Sequence, residues 1–200
     1  MPPNRAKTIA ITGKIGSGKS TFCRYLEELG CRVFYADAIA HHRLLSLKDP
    51  LTTRWGEDIW LDDKPERKKI AKIVFEDFRE LEFLNSLLHP LVMDSIYQII
   101  AEFPDEHCYF EIPLLFEAKL ENRFDVLVLV KSDPDIVIER LKRRNPDDYQ
   151  NQIMRLQTQM PDSLKAQLVD HVIENNGSTG DLRAAAKLLV ETIANKSLPQ

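Results

Sequence analysis

Thr8-Ile9-Ala10-Ile11-Thr12-Gly13-Lys14-Ile15-Gly16-Ser17-Gly18-Lys19-Ser20-Thr21 is the stretch from which the fold is read. It holds Gly13-x-x-x-x-Gly18-Lys19-Ser20, the spacing of a phosphate-binding P-loop. The β-branched run before the glycines predicts a buried strand over Lys7 to Thr12. After them, Phe22, Leu26 and Leu29 share one face of a helix over Lys19 to Leu29, which Gly30 is placed to end. Glycines thus sit where a strand hands over to a helix start. Without Cβ atoms the backbone N–H groups can turn inward on a phosphate, and the helix start adds partial positive charge. Lys19 can reach the terminal phosphates and the Ser20 hydroxyl can ligate Mg²⁺, so the motif predicts a nucleoside triphosphate site over Gly13, Lys14, Ile15, Gly16, Ser17, Gly18, Lys19, Ser20 and Thr21.

Outward from this loop, helices and strands alternate. Arg32 to Tyr35 reads as a second strand, and Ala38 to Leu47 as a helix. Glu66 to Phe78 and Arg79 to Phe103 are predicted helices, with Pro90 marking a break or a new start. Cys108 to Ile112 is a third strand, and Phe124 to Val130 is a nearly continuous apolar run of the kind parallel sheets bury. Ser132-Asp133-Pro134 predicts a cap for a helix over Asp135 to Arg144. Pro146 to Leu168 is polar and helical in two pieces split near Pro161; His171 to Ile173 is a last strand. Asn175 to Gly180 follows as a loop, and Asp181 to Ala194 as a final amphipathic helix. The pattern predicts an α/β fold, a three-layer α/β/α sandwich with a parallel central sheet. Ligands then bind at the carboxyl ends of the strands, where the P-loop, Asp37, Glu111 and the Asn175 loop all fall.

Two hundred residues with 44% hydrophobic content suit one domain with a sizeable core. A net charge of −4 argues against general nucleic-acid binding, which needs a basic face. Cys23, Cys31 and Cys108 are an odd number without a CxxC pair, the pattern of reduced thiols in a cytoplasmic protein. His41 and His42, adjacent on a helix, point apart and make a poor chelate. Met1 to Arg5 leads straight into the first strand, with no signal peptide and no apolar run of membrane length.

Several side chains have two readings. Asp37, after the second strand, can take a proton from an attacking hydroxyl or cap the helix from Ala38. Glu111, ending the third strand, can hold Mg²⁺ or its water shell, or be a solvated loop carboxylate. Arg140, Lys142, Arg143, Arg144 and Arg155 can neutralise a transferring phosphoryl group from a lid, or form a solvated helix face. His89 reads as a structural histidine in apolar surroundings. A switch GTPase would carry Asn-Lys-x-Asp and Asp-x-x-Gly. Here Asn195-Lys196-Ser197-Leu198 lacks the acid, and no glycine follows an Asp at that spacing. A small-molecule kinase fits better than a nucleotide-dependent signalling protein; another nucleoside or nucleotide kinase shares every P-loop argument.

Five segments narrow the choice: Ile11 to Thr21, Ala36-Asp37-Ala38-Ile39-Ala40-His41, Leu87-Leu88-His89-Pro90-Leu91, Ile112-Pro113-Leu114-Leu115-Phe116-Glu117 and Asp170 to Gly177. In order and at similar spacing they resemble the dephospho-CoA kinase family over nearly the whole chain. The resemblance implies ATP-dependent phosphorylation of the 3′-hydroxyl of dephospho-CoA, the last step of coenzyme A synthesis, by a P-loop kinase fold using Mg²⁺. It implies a core over about 5–45, 105–135 and 168–200, a helical CoA-binding insert over about 46–104 and a lid over about 140–165. It implies Asp37 as base at the acceptor ribose, with His89, Pro113 and Leu114 as acceptor contacts. Lys19, Arg140 and Arg144 serve the phosphates, Asn175 and Gly177 the adenine side, and Ser20 with Glu111 the metal. The implied partners are ATP and dephospho-CoA, with neither nucleic acid nor membrane, and the chain is expected to be monomeric. Four features depart from the family pattern. Tyr35 stands in place of its first Asp-Ala-Asp acid, Lys14 in place of a glycine and Glu111 in place of a common Asp; the usual Gly and Pro around Ser46 to Asp49 are absent.

Overall fold

The computed structural model describes residues 6–195; the Met1–Arg5 leader and the Lys196–Leu198 part of the missing GTPase motif lie outside them. The described residues form two compact units, 6–35 with 103–195 and 36–102.

The first unit is built on a parallel five-stranded sheet flanked by helices, as the alternation predicts. Its strands are β1 (Thr8–Thr12), β2 (Arg32–Tyr35), β5 (Cys108–Glu111), β6 (Val126–Lys131) and β7 (His171–Glu174), in the order β2-β5-β1-β6-β7. β1 is central because both its neighbours must bury it: Ile9, Ala10 and Ile11 have no exposed surface, nor have Val128, Leu129 and Val130 of β6. Side chains alternate across the sheet. Ile9, Ile11, Tyr109, Val128 and Val130 meet Phe22, Cys23 and Leu26 of α1 (Lys19–Glu28) and Leu182, Ala186, Leu189 and Ile193 of α9 (Thr179–Asn195). Phe110 stacks on Phe34 at 5.3 Å and meets Phe124 at 5.6 Å.

Helix ends explain where the observed elements differ from expectation. α1 stops at Glu28 because Gly30, at φ +85°, turns the chain left-handed; Gly30 N–H donates to Glu27 and Cys31 N–H to Leu26, satisfying two orphan carbonyls. Asp133 and Pro134 occupy the expected first positions of α6 (Pro134–Arg144), yet no side chain caps it. Ser132 Oγ is held instead by the Ser17 and Asn175 carbonyls. α9 begins at Thr179, so Gly180 is helical rather than the end of a loop; the Asp181 carboxylate, accepting from Ser178 N–H and Oγ, starts it early. The polar segment is helical in two pieces as expected, α7 (Tyr149–Thr158) and α8 (Asp162–Lys165).

The second unit packs α2 (Ala36–Leu44), α3 (Lys48–Trp55), α4 (Arg67–Glu76) and α5 (Phe78–Glu102) around Leu47, Leu51, Ile59, Ile70 and Leu84. α2 starts at Ala36, not Ala38, so Asp37 lies in its first turn rather than capping it. The helix also ends before Leu47: a short 3₁₀ turn over Leu45–Leu47 redirects the chain so that both Leu47 and Leu51 enter this core. Pro90 does not break the helix. α5 runs through it, because Pro90 and Ser86, whose carbonyl loses its N–H partner, are both exposed and water can serve the carbonyl. β3 (Trp60–Leu61) and β4 (Lys64–Pro65), not expected from the sequence, form a small hairpin; Asp62 and Asp63, both at positive φ, make its two-residue turn. His41 and His42 have ring centroids 6.4 Å apart, and His41 Nδ1 accepts from Arg67.

Glu80 ties this unit together by accepting from Arg54 Nη2 and Nε and from Trp55 Nε1 at 2.7–3.0 Å. These bonds hold its carboxyl at about 2, below the usual 4.5. A depressed carboxylate stabilises the fold above the unfolded value and loses that contribution as pH falls through the folded one. Glu80→Gln is therefore expected to flatten the acid limb of stability between pH 4.5 and 2, read as melting temperature against pH. An unchanged limb would mean the pair is screened.

Candidate active site

The loop between β1 and α1 is held in place by three anchors. Ser17 N–H donates to the Lys14 carbonyl at 3.2 Å, closing a turn in which Gly16 has φ +81°, a value only glycine adopts freely. Gly16 packs so closely on Val137 and Leu141 of α6 that a Cβ would lie 2.9 Å from Val137 Cγ1. Ile15 N–H donates to the Gln159 side-chain carbonyl at 2.9 Å. Gly18, at φ +91°, lies against the Asn175 carboxamide so closely that any Cβ would overlap it. Among the described residues, the N–H groups of Gly16, Gly18, Lys19 and Ser20 find no protein acceptor. Four convergent donors at a helix start are what an anion requires.

Glu111 gathers the charged groups. It ends β5 beside Ile11 of β1, and its Oε1 accepts from Ser20 Oγ at 2.9 Å and lies 3.0 Å from Lys19 Nζ. Both charged side chains are over nine-tenths buried. Glu111 Oε2 is buried with no hydrogen-bond partner. A buried carboxylate oxygen left unsatisfied beside a serine hydroxyl is a hard-oxygen donor set, and it fits a magnesium ion or its water shell. The Cys23 thiol lies close by; burial, reinforced by the Glu111 charge, pushes it far up, so it stays protonated and inert.

The structure brings Asn175 and Arg140 to the same loop. Asn175 Nδ2 donates to the Ser17 carbonyl at 2.8 Å. Arg140 donates to Ser132 Oγ at 2.8 Å and to the Asn175 carbonyl at 3.0 Å, with Ser17 O at 3.5 Å. The guanidinium therefore braces the loop from behind. Arg144, by contrast, is exposed near the end of α6. Gly177 lies beyond Asn175, and Asn176 Oδ1 accepts from Asp133 N–H. The Pro113 carbonyl accepts from Thr12 Oγ1 at 3.2 Å, and Leu114 is half exposed. Asp37, exposed on α2, and His89, half-buried on α5 with its imidazole pushed down by burial, belong to the second unit.

Gln159 and Lys165 were not singled out from the sequence, and Ser132 and Glu117 entered only as part of a helix cap and of a family segment. No spacing rule flags their contacts, because each joins parts of the chain far apart in sequence. Tyr35, where the family pattern has an acid, is hydrogen-bonded to Glu27; burial and that carboxylate push its hydroxyl well up.

Comparison with known proteins extends this geometry. The CoaE dephospho-CoA kinase family model matches residues 7–181. The dephospho-CoA kinase of Helicobacter pylori is 35% identical over 189 residues, covering 92% of this chain and 96% of that one. That of Leptospira interrogans is 36% identical over 197 residues, covering 95% and 94%. The crystal structure of TT1252 from Thermus thermophilus superposes with a TM-score of 0.82 at 31% identity, covering 93% of this chain and 97% of that one. With a family model spanning residues 7–181 and relatives above 30% identity along nearly the full length, the chain belongs to the dephospho-CoA kinase family.

Proposed function

We propose that this protein transfers the γ-phosphoryl group of ATP to the 3′-hydroxyl of the ribose of dephospho-CoA, giving coenzyme A and ADP. The observation that carries the reading is the loop of unpaired amides with Lys19 and Ser20 gathered on one buried carboxylate, in a chain of this family. Phosphoryl transfer asks a protein mainly for positioning and for charge stabilisation. In this reading the unpaired amides of Gly16, Gly18, Lys19 and Ser20, within the Gly13 to Thr21 loop, grip the phosphates, and an incoming phosphate draws the Lys19 ammonium off Glu111. Ser20 Oγ and Glu111 Oε2 would hold Mg²⁺ or its water shell, and the bound ion would neutralise charge on the phosphate oxygens.

Asp37 is the proposed base, orienting the acceptor hydroxyl and receiving its proton at a carboxylate oxygen. His89, neutral at pH 7 because burial lowers it, would contact the acceptor as an uncharged donor or acceptor, together with Pro113 and Leu114. Arg144 is assigned to the phosphates from a lid over about residues 140–165, whose closure would exclude water and limit futile hydrolysis. Arg140 acts on the loop from behind, and Asn175 and Gly177 on the adenine side. The same reading has the enzyme working as a monomer in the cytoplasm, where Cys23, Cys31 and Cys108 stay as free thiols.

ADP release, followed by a coupled assay with and without dephospho-CoA, tests this. Release that depends on dephospho-CoA, and not on AMP or nucleosides, supports the reading. Slow release indifferent to any acceptor sinks it in favour of a nucleotide-dependent signalling role.

A further inference from the structure

The first turn of the phosphate loop is tied to a part of the chain 144 residues away by a continuous set of contacts. Between α7 and α8 the chain extends through Gln159 and Met160. Met160 N–H donates to Glu117 Oε1 at 2.8 Å. The same Oε1 lies 3.0 Å from Lys165 Nζ, on a lysine with no exposed surface. That ammonium has no well-directed hydrogen bond, so Glu117 is what compensates its charge. One carboxylate therefore pins both ends of the 160–165 segment, and Gln159, next to the pinned Met160, presents its side-chain carbonyl to Ile15 N–H at 2.9 Å. Charge supports the same placement. Burial pushes the Asp162 carboxyl up, and the Lys14, Lys165 and Lys131 ammonium groups draw it back, so the segment also opposes the charge that Lys14 adds to the loop.

We propose that Gln159 is a positioning residue for nucleotide binding: it holds the Lys14–Ile15 peptide with its N–H turned to Gln159, so that the amides of Gly16, Gly18, Lys19 and Ser20 stand ready to converge on phosphate. Of the three anchors of this turn, the Ser17–Lys14 bond is local and the Gly16 contact only excludes a side chain. Gln159 supplies an acceptor from outside the turn, and without it the 14–15 peptide is held by protein only at its Lys14 carbonyl, among the described residues, and its Ile15 N–H is left without a partner. Such a bond adds to nucleotide affinity by removing freedom before binding rather than by touching the ligand. The proposal rests on the loop being the nucleotide site.

The experiment uses the full chain, with ADP as probe in isothermal titration calorimetry and amide exchange read at Ile15. Gln159→Leu keeps the bulk and deletes the acceptor. It is expected to weaken ADP binding and raise the KM for ATP by about 3- to 10-fold, the usual cost of one neutral hydrogen bond. It should speed Ile15 exchange, leave the KM for dephospho-CoA unchanged and keep the melting temperature within a few degrees. Gln159→Glu keeps an acceptor oxygen and should restore Ile15 protection. If Gln159→Leu does not fold, Gln159→Ala is read in its place by the same measurements. ADP affinity within twofold of wild type, or Ile15 exchange unmoved by loss of the acceptor, overturns the proposal. Neither readout needs a phosphoryl acceptor, so a wild-type protein that ignores dephospho-CoA would sink the proposed reaction and leave this test intact.

Discussion

Replacing Asp37 by Asn is expected to lower turnover by about 10²- to 10⁴-fold while leaving the affinity for ATP within about threefold. Asn keeps the volume and a hydrogen-bonding carbonyl but cannot take the proton that the ribose hydroxyl must lose. The loss should therefore fall on kcat with dephospho-CoA, and only weakly on its KM. Asp37 is exposed in the first turn of α2, and it interacts within the protein, so stability measured alongside separates a chemical effect from a structural one. A carboxylate in a helix's first turn contributes about 0.3–1 kcal/mol through the helix dipole, too little to mimic a hundredfold loss by unfolding. Near-normal turnover in Asp37→Asn would reject the assignment of the base.

Lys19→Ala should act on both binding and chemistry. Removing a charge aimed at the transferring group typically costs about 10²- to 10³-fold in turnover. Here a second cost is visible in the geometry. Lys19 Nζ, 3.0 Å from Glu111 Oε1, is the cation that compensates a carboxylate over nine-tenths buried. Its loss leaves Glu111 with Ser20 Oγ as its hydrogen-bond donor. Lys19→Met restores bulk without charge, leaves Glu111 equally uncompensated, and should be as inactive as Lys19→Ala. ATP-dependent turnover unchanged in Lys19→Ala would mean that this loop is not the reacting one.

Much of the site is local in sequence and was legible for that reason. Gly13 to Thr21 encodes a strand end, a turn and a helix start by backbone rules that need no partner; Gly16 and Gly18 adopt the left-handed conformations that their lack of a side chain permits. The apolar run ending at Val130 and the β-branched run ending at Thr12 announce buried parallel strands, the latter central, whereas the full strand order came from the structure. Glu111 was legible as the residue ending a strand, and the structure showed that strand to adjoin β1. Other elements were misread where local rules compete with packing. Pro90 satisfied the rule for a helix break, yet both it and the Ser86 carbonyl face solvent, so the helix survives. Asp133 and Pro134 satisfied the rule for a cap, but Ser132 and Arg140 serve the loop instead.

The sequence by itself determined the parallel sheet, the phosphate loop and the position of Glu111 at the end of a strand, because each depends on backbone geometry and hydrophobic period over a few neighbouring residues. Only the tertiary structure decided that Lys19 and Ser20 converge on one oxygen of Glu111, that Arg140 braces the loop through Ser132 and Asn175, and that Gln159 and the buried Lys165–Glu117 pair reach its first turn. Those contacts join residues up to about 158 apart in the chain. Side-chain hydrogen bonds and ion pairs leave no periodic trace in a sequence, since they depend on where separate elements come to rest rather than on the propensities of the residues that make them.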